Sequence, residues 1–422
     1  NLSFWGDIER MLGVFHLLHF LALYFFIITV FRSWKDWQLF FVSSIVISVF
    51  LSIYGLSQNI QYSTLGNTEY VAAYLIFNIY FCLLLFFSED NKALRWVYLL
   101  PLPILLWQFD VANISGAYVG LGFSIIVLTF LYAFLSKHKK IKIALGASFI
   151  AIILLTVVLF IYKDKDFVKN SSIFGPITEI SIQKNTFQTR LISWRAAFLD
   201  FKTHPILGTG YGNFSITFDK YFDPVFYNHT RGETYFDKAH NNVIEIGSTT
   251  GMLGLLTYLS IFLALAYYLI GGYYKKTISL HEFVLISCLL VAYFVQNLAV
   301  FDSLSTYITF MMVLAYVYWL HTSRSEQNVA EKKNINTTEN HSFDNKEIIT
   351  LAVSSVLLLI VAYQYNIKVW QMLSTTIEGQ KAYAQGRVDD TIEFYKKAFS
   401  YNTILDRDSR SSFVNIFAGN PM

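Results

Sequence analysis

Long apolar runs, separated by short polar connections, dominate the pattern along this chain. About 18 or more apolar residues in a row are enough to cross a bilayer as a helix. Ten such segments are read, approximately Gly13–Phe31, Gln38–Leu56, Tyr70–Phe87, Trp96–Phe109, Ala117–Leu135, Ile143–Tyr162, Gly251–Gly271, Phe283–Phe301, Ser305–Leu320 and Ile348–Ile367. The fourth is short and holds Pro101 and Pro103, a kink that neighbouring helices can accommodate by satisfying the freed carbonyls. Two polar stretches stand out, a long loop over 163–250 and a charged linker over 322–347. The expected layout is a transmembrane domain over 1–321 that includes that loop, the linker, a last span over 348–367, and a helical tail over 368–422.

Composition agrees. Of 422 residues, 55% are hydrophobic, 18% aromatic and 14% charged, against about 25% charged in soluble domains. With mean hydropathy at +0.44, a set of water-soluble domains is excluded as the main architecture. The net charge of +3 is too small to argue for a nucleic-acid partner. Cys82 and Cys288 both lie inside apolar runs, which reads as packed or lipid-facing thiols rather than a disulfide framework. No basic start feeding a short apolar core, the mark of a signal peptide, is seen between Asn1 and Leu12. Starting at Asn1 and stopping abruptly at Met422, the chain is expected to be a piece of a longer protein.

Charge sets the orientation. Arg32 and Lys35, Lys92 and Arg95, Lys137 to Lys142, Lys275 and Lys276, and Arg324 to Lys346 all fall in connections on one side. The short loops on the other side, 57–69, 110–116 and 302–304, contain no Lys or Arg. Basic loops stay cytoplasmic, so the 163–250 loop and the tail from Lys368 are expected outside the cytoplasm. The loop holds ten Lys or Arg against nine Asp or Glu. At nearly ninety residues, it is far longer than a connection needs, and its aromatics and helical periodicity favour a folded element. In the tail, GQKAYAQGRVDDTIEFYKKAFSYN reads as two short helices broken at Gly386, with Ala382, Gly386 and Ala398 placed as in a tetratricopeptide pair.

Within the loop, Arg190 and Trp194 share one face of a helix at i and i+4, and that helix closes at His204-Pro205. Gly208, Gly210 and Gly212 follow in GTGYG and read as a tight turn. His240-Asn241 comes next, with Gly251 and Gly254 at the mouth of the seventh span, where small residues let another helix approach. Taken alone, His240 is a surface or capping histidine, and Asn241 a helix cap. Other candidates are structural: His16 and His19, one turn apart in the first span, as packed histidines, and Gln296, Asn297 and Asp302 as interhelical hydrogen-bonding groups or the lining of a lipid-carrier groove. Asp164-Lys165-Asp166 has the form of a metal-binding pair but sits where acidic residues are usually solvated.

From Arg190 to Leu256 the chain resembles the O-antigen ligase and O-antigen polymerase superfamily of polytopic glycosyltransferases. The shared pattern is Arg-x-x-x-Trp (Arg190, Trp194), then HPILGTG at 204–210, then His240-Asn241 with nine residues before Gly251 and Gly254. Leu65-Gly66-Asn67 with Tyr70 is a further echo. The resemblance implies an all-α polytopic membrane protein, a GT-C-like bundle of about ten transmembrane helices with a large helical extracytoplasmic loop. It also implies a multi-pass enzyme of a bacterial inner membrane that moves a glycan from an undecaprenyl-diphosphate carrier to an acceptor hydroxyl, with no nucleotide, metal or other cofactor.

A sugar hydroxyl needs a base, and an imidazole with a pKa of about 6.5 can serve. The departing diphosphate gathers negative charge that a guanidinium stabilises. By resemblance, His240 is the general base and Arg190 the diphosphate clamp, with Asn241, Trp194, Arg195, Arg231, Glu245 and Arg10 as substrate-binding candidates. One position departs from the pattern: Ser115 stands in NISGA where the family commonly has arginine, so the expectation is that Arg10, Arg195 or Arg231 replaces that cation, that the donor is held differently, or that activity is weakened or lost. Expected partners are the lipid-linked glycan donor, the bilayer, and a glycan, lipid or protein acceptor, with the tetratricopeptide-like tail suited to recruiting a protein. The competing readings are an O-antigen polymerase or protein O-oligosaccharyltransferase within the enzyme class, and a lipid-linked glycan transporter or inactive scaffold outside it.

Overall fold

The computed structural model describes residues 2–5, 12–163, 165–171, 184–230, 236–322, 345–403 and 405–418. Among these residues every regular element is helical. Two compact units are present, 1–335 and 336–422.

The first unit contains α1 (Val14–Val30), α2 (Trp34–Gln58), α3 (Thr68–Ser88), α4 (Leu102–Ala112), α5 (Ser115–Leu135), α6 (Lys139–Ile161), α7 (Asn185–Thr203), α8 (Phe214–Lys220), α9 (Asn242–Tyr274), α10 (Leu280–Gln296) and α11 (Leu304–His321). Of these, α2, α3, α5, α6, α9 and α11 are long and apolar enough to span a membrane, as is Ala352–Ala384 in the second unit. Helices α1 and α10, 17 residues each, are equally apolar but slightly shorter. The chain is therefore a polytopic α-helical membrane protein.

Three expected segments are altered. The fourth is not one helix over 96–109 but a 3-10 stretch, Leu94–Leu99, followed by the 11-residue α4. Proline has no N–H to give to a preceding turn, so Pro101 and Pro103 can only open a new helix. The eighth segment ends at Gln296, releasing 297–303 into a connection. The seventh begins earlier, at Asn242, and is broken at Gly251.

Helix α3 is the axis of the bundle. It is buried almost all round from Val71 to Leu85, as expected of a helix apolar on every face. Phe81 packs on Phe41 of α2 at 4.7 Å, and Phe41 on Tyr316 of α11 at 5.0 Å. Helix α6 is the opposite case, with no buried residue and Phe160 72% exposed. Such a surface is costly in water at about 25 cal/mol per Å² and is at home against lipid. Helix α5 approaches α10 closely at Gly120 and the connection after α10 at Gly116, where a Cβ would stand 2.6 Å from the Ala292 carbonyl oxygen and 2.9 Å from Ala299 Cβ. His19 donates from Nδ1 to the Phe15 carbonyl at 2.8 Å, and His16 packs edge-on against Phe20.

In the second unit the helix of the expected last span runs on past residue 367 into the tail. Asn345–Ala362 runs through a π-helical turn, Tyr363–Ile367, into Lys368–Ala384. Gly386, at φ 73°, then reverses the chain into Val388–Ser400, and Asp406–Ala418 packs on both. Gly379 makes room for the buried Tyr395 ring, 2.9 Å from where its Cβ would stand, and Ala382 and Ala398 are buried too.

Candidate active site

The loop of the first unit folds around its own small core of Ala197, Phe214, Phe218, Phe226, Phe236 and Ala239. Helix α7 covers it, with Thr189, Ser193, Ala196, Ala197 and Asp200 turned inward. Asp200 is fully buried and accepts from the Thr217 hydroxyl at 2.8 Å, which ties α7 to α8. With these positions committed, Arg190 and Trp194 stay together on a neighbouring face.

The HPILGTG turn locks onto the break in α9. Gly251 adopts φ 65° and ψ −166°, so the helical hydrogen bonds on both sides of it are lost. The turn restores them: Thr209 and Gly210 donate N–H groups to the carbonyls of Ser248 and Thr249, at 3.3 and 2.8 Å. In return Met252 and Leu253 donate to Pro205 and Ile206, at 2.8 and 3.2 Å. The fit requires two glycines. A Cβ on Gly208 would lie 2.3 Å from the Thr249 carbonyl carbon, and one on Gly251 2.3 Å from that of Ile206. What approaches Gly251 is thus an irregular turn, where the sequence pattern suggests a helix.

His240 sits just ahead of α9 in a left-handed conformation, φ 52°. Asn241 caps the helix, its side-chain oxygen accepting from Val243 and Ile244 at 3.0 and 3.1 Å. Several contacts fix the approach to the histidine. The Trp194 indole donates to the Ala239 carbonyl at 2.8 Å. Glu245 accepts from the Ala239 N–H at 3.2 Å and pairs with Lys238 at 2.7 Å. The His240 ring packs between Phe236 and Phe301, each centroid 5.2 Å away, and its Nδ1 lies 3.2 Å from the Lys238 carbonyl. A carbonyl can only accept, so this contact places the proton on Nδ1.

Lys238 and Glu245 are both buried. Burial works against the lysine's charge, but the charge and hydrogen bond of Glu245, with Tyr211 and Asp237, more than offset it and raise its pKa. Lys238→Met should strand a buried carboxylate and cost about 3–5 kcal/mol, whereas Lys238→Met with Glu245→Leu should recover most of the loss in thermal unfolding in detergent. Because folding raises this pKa, the pair stabilises at neutral pH and loses its effect only as pH climbs through the folded-state value.

Behind the helix start, Asp302 is fully buried. It accepts from Asn242 at 2.6 Å, Tyr293 at 2.8 Å, Thr306 at 3.1 Å and Asn297 at 3.2 Å. Burial raises its pKa, with the four donors pulling the other way. It joins α9, α10 and α11 at one point, beside the Phe301 ring that meets the histidine.

A cavity of about 440 Å³ opens next to this assembly. Its wall includes Arg190 and Trp194 of α7, Lys184 just before it, Glu69 of α3, Asn113 and Ser115 at the start of α5, and Val300 beyond α10. His240 does not itself line it. The imidazole stands at its edge, against the neighbour of Val300 and beside the carbonyl held by the lining Trp194. The short connections that meet the long loop here, before α3, between α4 and α5 and after α10, lack Lys and Arg.

Other candidates fall elsewhere. Arg195 is 71% exposed at its side chain, faces Asp223 at 3.5 Å and is not part of the cavity wall. Arg10 and Arg231 lie outside the described residues, as does Asp164 of the acidic pair. Lys238 and Lys184 escape a motif-based reading. The only sequence signals are a lysine two residues before the histidine and another six before the arginine.

Residues 111–259 match the family described as O-antigen ligase. The likeness is to this segment only. It is about a third of the chain, and it holds Ser115, Arg190, the HPILGTG turn, His240 and Gly251. The motif spacing and the family match therefore fall on the same stretch of chain. No curated protein matches the chain.

Proposed function

We propose that this O-antigen ligase-like protein transfers a glycan from an undecaprenyl-diphosphate carrier to an acceptor hydroxyl on the extracytoplasmic side of a bacterial inner membrane. His240 is the general base: its Nδ1 proton is directed at the Lys238 carbonyl, which assigns Nε2 to the acceptor. As the acceptor oxygen bonds to the anomeric carbon, its proton passes to Nε2. The bond from that carbon to the phosphate oxygen breaks, and the electron pair leaves with the lipid diphosphate, on which the Arg190 guanidinium sits. A single displacement of this kind inverts the anomeric centre.

One observation carries the reading. Arg190 and Trp194 line the same cavity one turn apart, and the Trp194 indole grips the residue before His240. The guanidinium is thus in the cavity wall, and the imidazole follows directly on the residue that a second wall residue holds, which supports pairing the two in one site. The short connections beside it lack Lys and Arg, which supports an outward-facing site.

The test is transfer in vesicles holding purified protein and undecaprenyl-diphosphate-linked glycan, without ATP. A lipid A core product identifies a ligase, a lengthened lipid-linked chain a polymerase, and a modified protein an O-oligosaccharyltransferase. No transfer to any of these acceptors, with the lipid-linked glycan found moved across the bilayer, would contradict an enzyme and favour a transporter.

A further inference from the structure

The cavity wall carries two cations, Arg190 and Lys184. Lys184 is the residue from which α7 starts; six positions separate it from Arg190, about 9 Å along the helix at 1.5 Å per residue. Two long side chains span that gap with ease. Thr186 and Phe187, between them, line the same wall. Facing them, the first turn of α5 opens into the cavity at Ser115 and Gly116, and its cap residue, Ile114, offers no side-chain hydrogen bond. Glu69 is the one acidic group on the wall. A diphosphate spreads its charge over two phosphoryl groups, more than one guanidinium neutralises, and a second cation in the same space has an evident use.

We propose that Lys184 is the second cation of this cavity, sharing with Arg190 the diphosphate of the lipid-linked donor. The assignment rests on the transfer reading above and deepens it: in this chain both charges on the leaving group come from the start of α7, and Ser115 on the opposite wall contributes none. Glu69 tempers the field, leaving the wall with a small positive excess in the absence of donor.

The experiment measures donor KM and kcat in the vesicle assay, together with competition by added undecaprenyl diphosphate, for Lys184→Met, Lys184→Arg, and Lys184→Met combined with Ser115→Arg. Lys184→Met should weaken competition and raise donor KM by about ten- to a hundredfold. Lys184→Arg should stay within a few-fold of the parent. Ser115→Arg, which returns a cation to the same cavity from the facing wall, should recover much of the loss. Reactivity of His240 toward diethyl pyrocarbonate should be equal in all of them, as a structural collapse would not allow. Donor kinetics of Lys184→Met equal to the parent overturn the proposal, and so does a loss that neither added charge repairs. Arg190→Ala separates this from the parent reading: if it too leaves donor KM unchanged, the diphosphate site itself is misplaced, whereas a loss there without a loss at Lys184 removes only the second cation.

Discussion

His240→Ala is expected to lower the rate of glycan transfer by about 10²- to 10⁴-fold, the usual contribution of a positioned base, while the protein still inserts and unfolds at the parent temperature. The imidazole makes few structural contributions that alanine forfeits: it is half-buried between two phenylalanine rings, and the caps and ion pair that build the loop belong to Asn241, Lys238 and Glu245. The left-handed backbone at residue 240 is borne by histidine as by alanine, since both carry a Cβ, so the exchange adds little strain there. Donor KM should change little, because the histidine acts on the acceptor. Transfer at the parent rate in His240→Ala rejects the base assignment outright.

The second large effect is expected at Gly251. Alanine there meets two penalties, a φ of 65° and a Cβ 2.3 Å from the Ile206 carbonyl carbon. Gly66 separates them, since it has φ 76° with nothing within 4 Å of the added carbon. Gly66→Ala should therefore show the conformational cost alone, about 1 kcal/mol. Gly251→Ala should exceed it by about 2 kcal/mol or more, because the atom in the way is backbone and cannot rotate aside. Its consequences should extend past stability. Forcing the turn away from α9 leaves the carbonyls of Ser248 and Thr249 unpaired and displaces the C-terminal end of α7, so transfer should fall in the protein that survives. The measurement is thermal unfolding of both variants in one detergent, alongside transfer. Equal melting temperatures for the two would contradict the interlock.

How far the sequence reaches is clear from these residues. Hydropathy marks the membrane helices because burial in lipid demands long apolar runs, and it fails at 96–109 because composition does not register that Pro101 forbids continuity. The spacing of Arg190, Trp194, His240 and Gly251 is readable because it is local, or repeats a family pattern. What spacing leaves out is which distant backbone group a side chain will meet. Nothing about Trp194 announces the Ala239 carbonyl, and nothing about Gly251 distinguishes a helix neighbour from the turn that fills it. Lys238 looks like one more loop lysine until burial pairs it with Glu245. Asp302 is recognisable as a polar group near a membrane helix end, but its four donors come from three helices and the connection after α10, and only folding assembles them. Arg195 illustrates the converse, a cation close in sequence to the key helix face that turns out to point at Asp223.

The most direct measurement is a cryo-electron microscopy structure of the protein in lipid nanodiscs with undecaprenyl diphosphate added. The account predicts the two phosphoryl groups inside the cavity, in contact with the Arg190 guanidinium, with the His240 imidazole facing the side from which an acceptor would approach. Diphosphate density elsewhere on the bundle, or His240 separated from it by a packed helix, would contradict it.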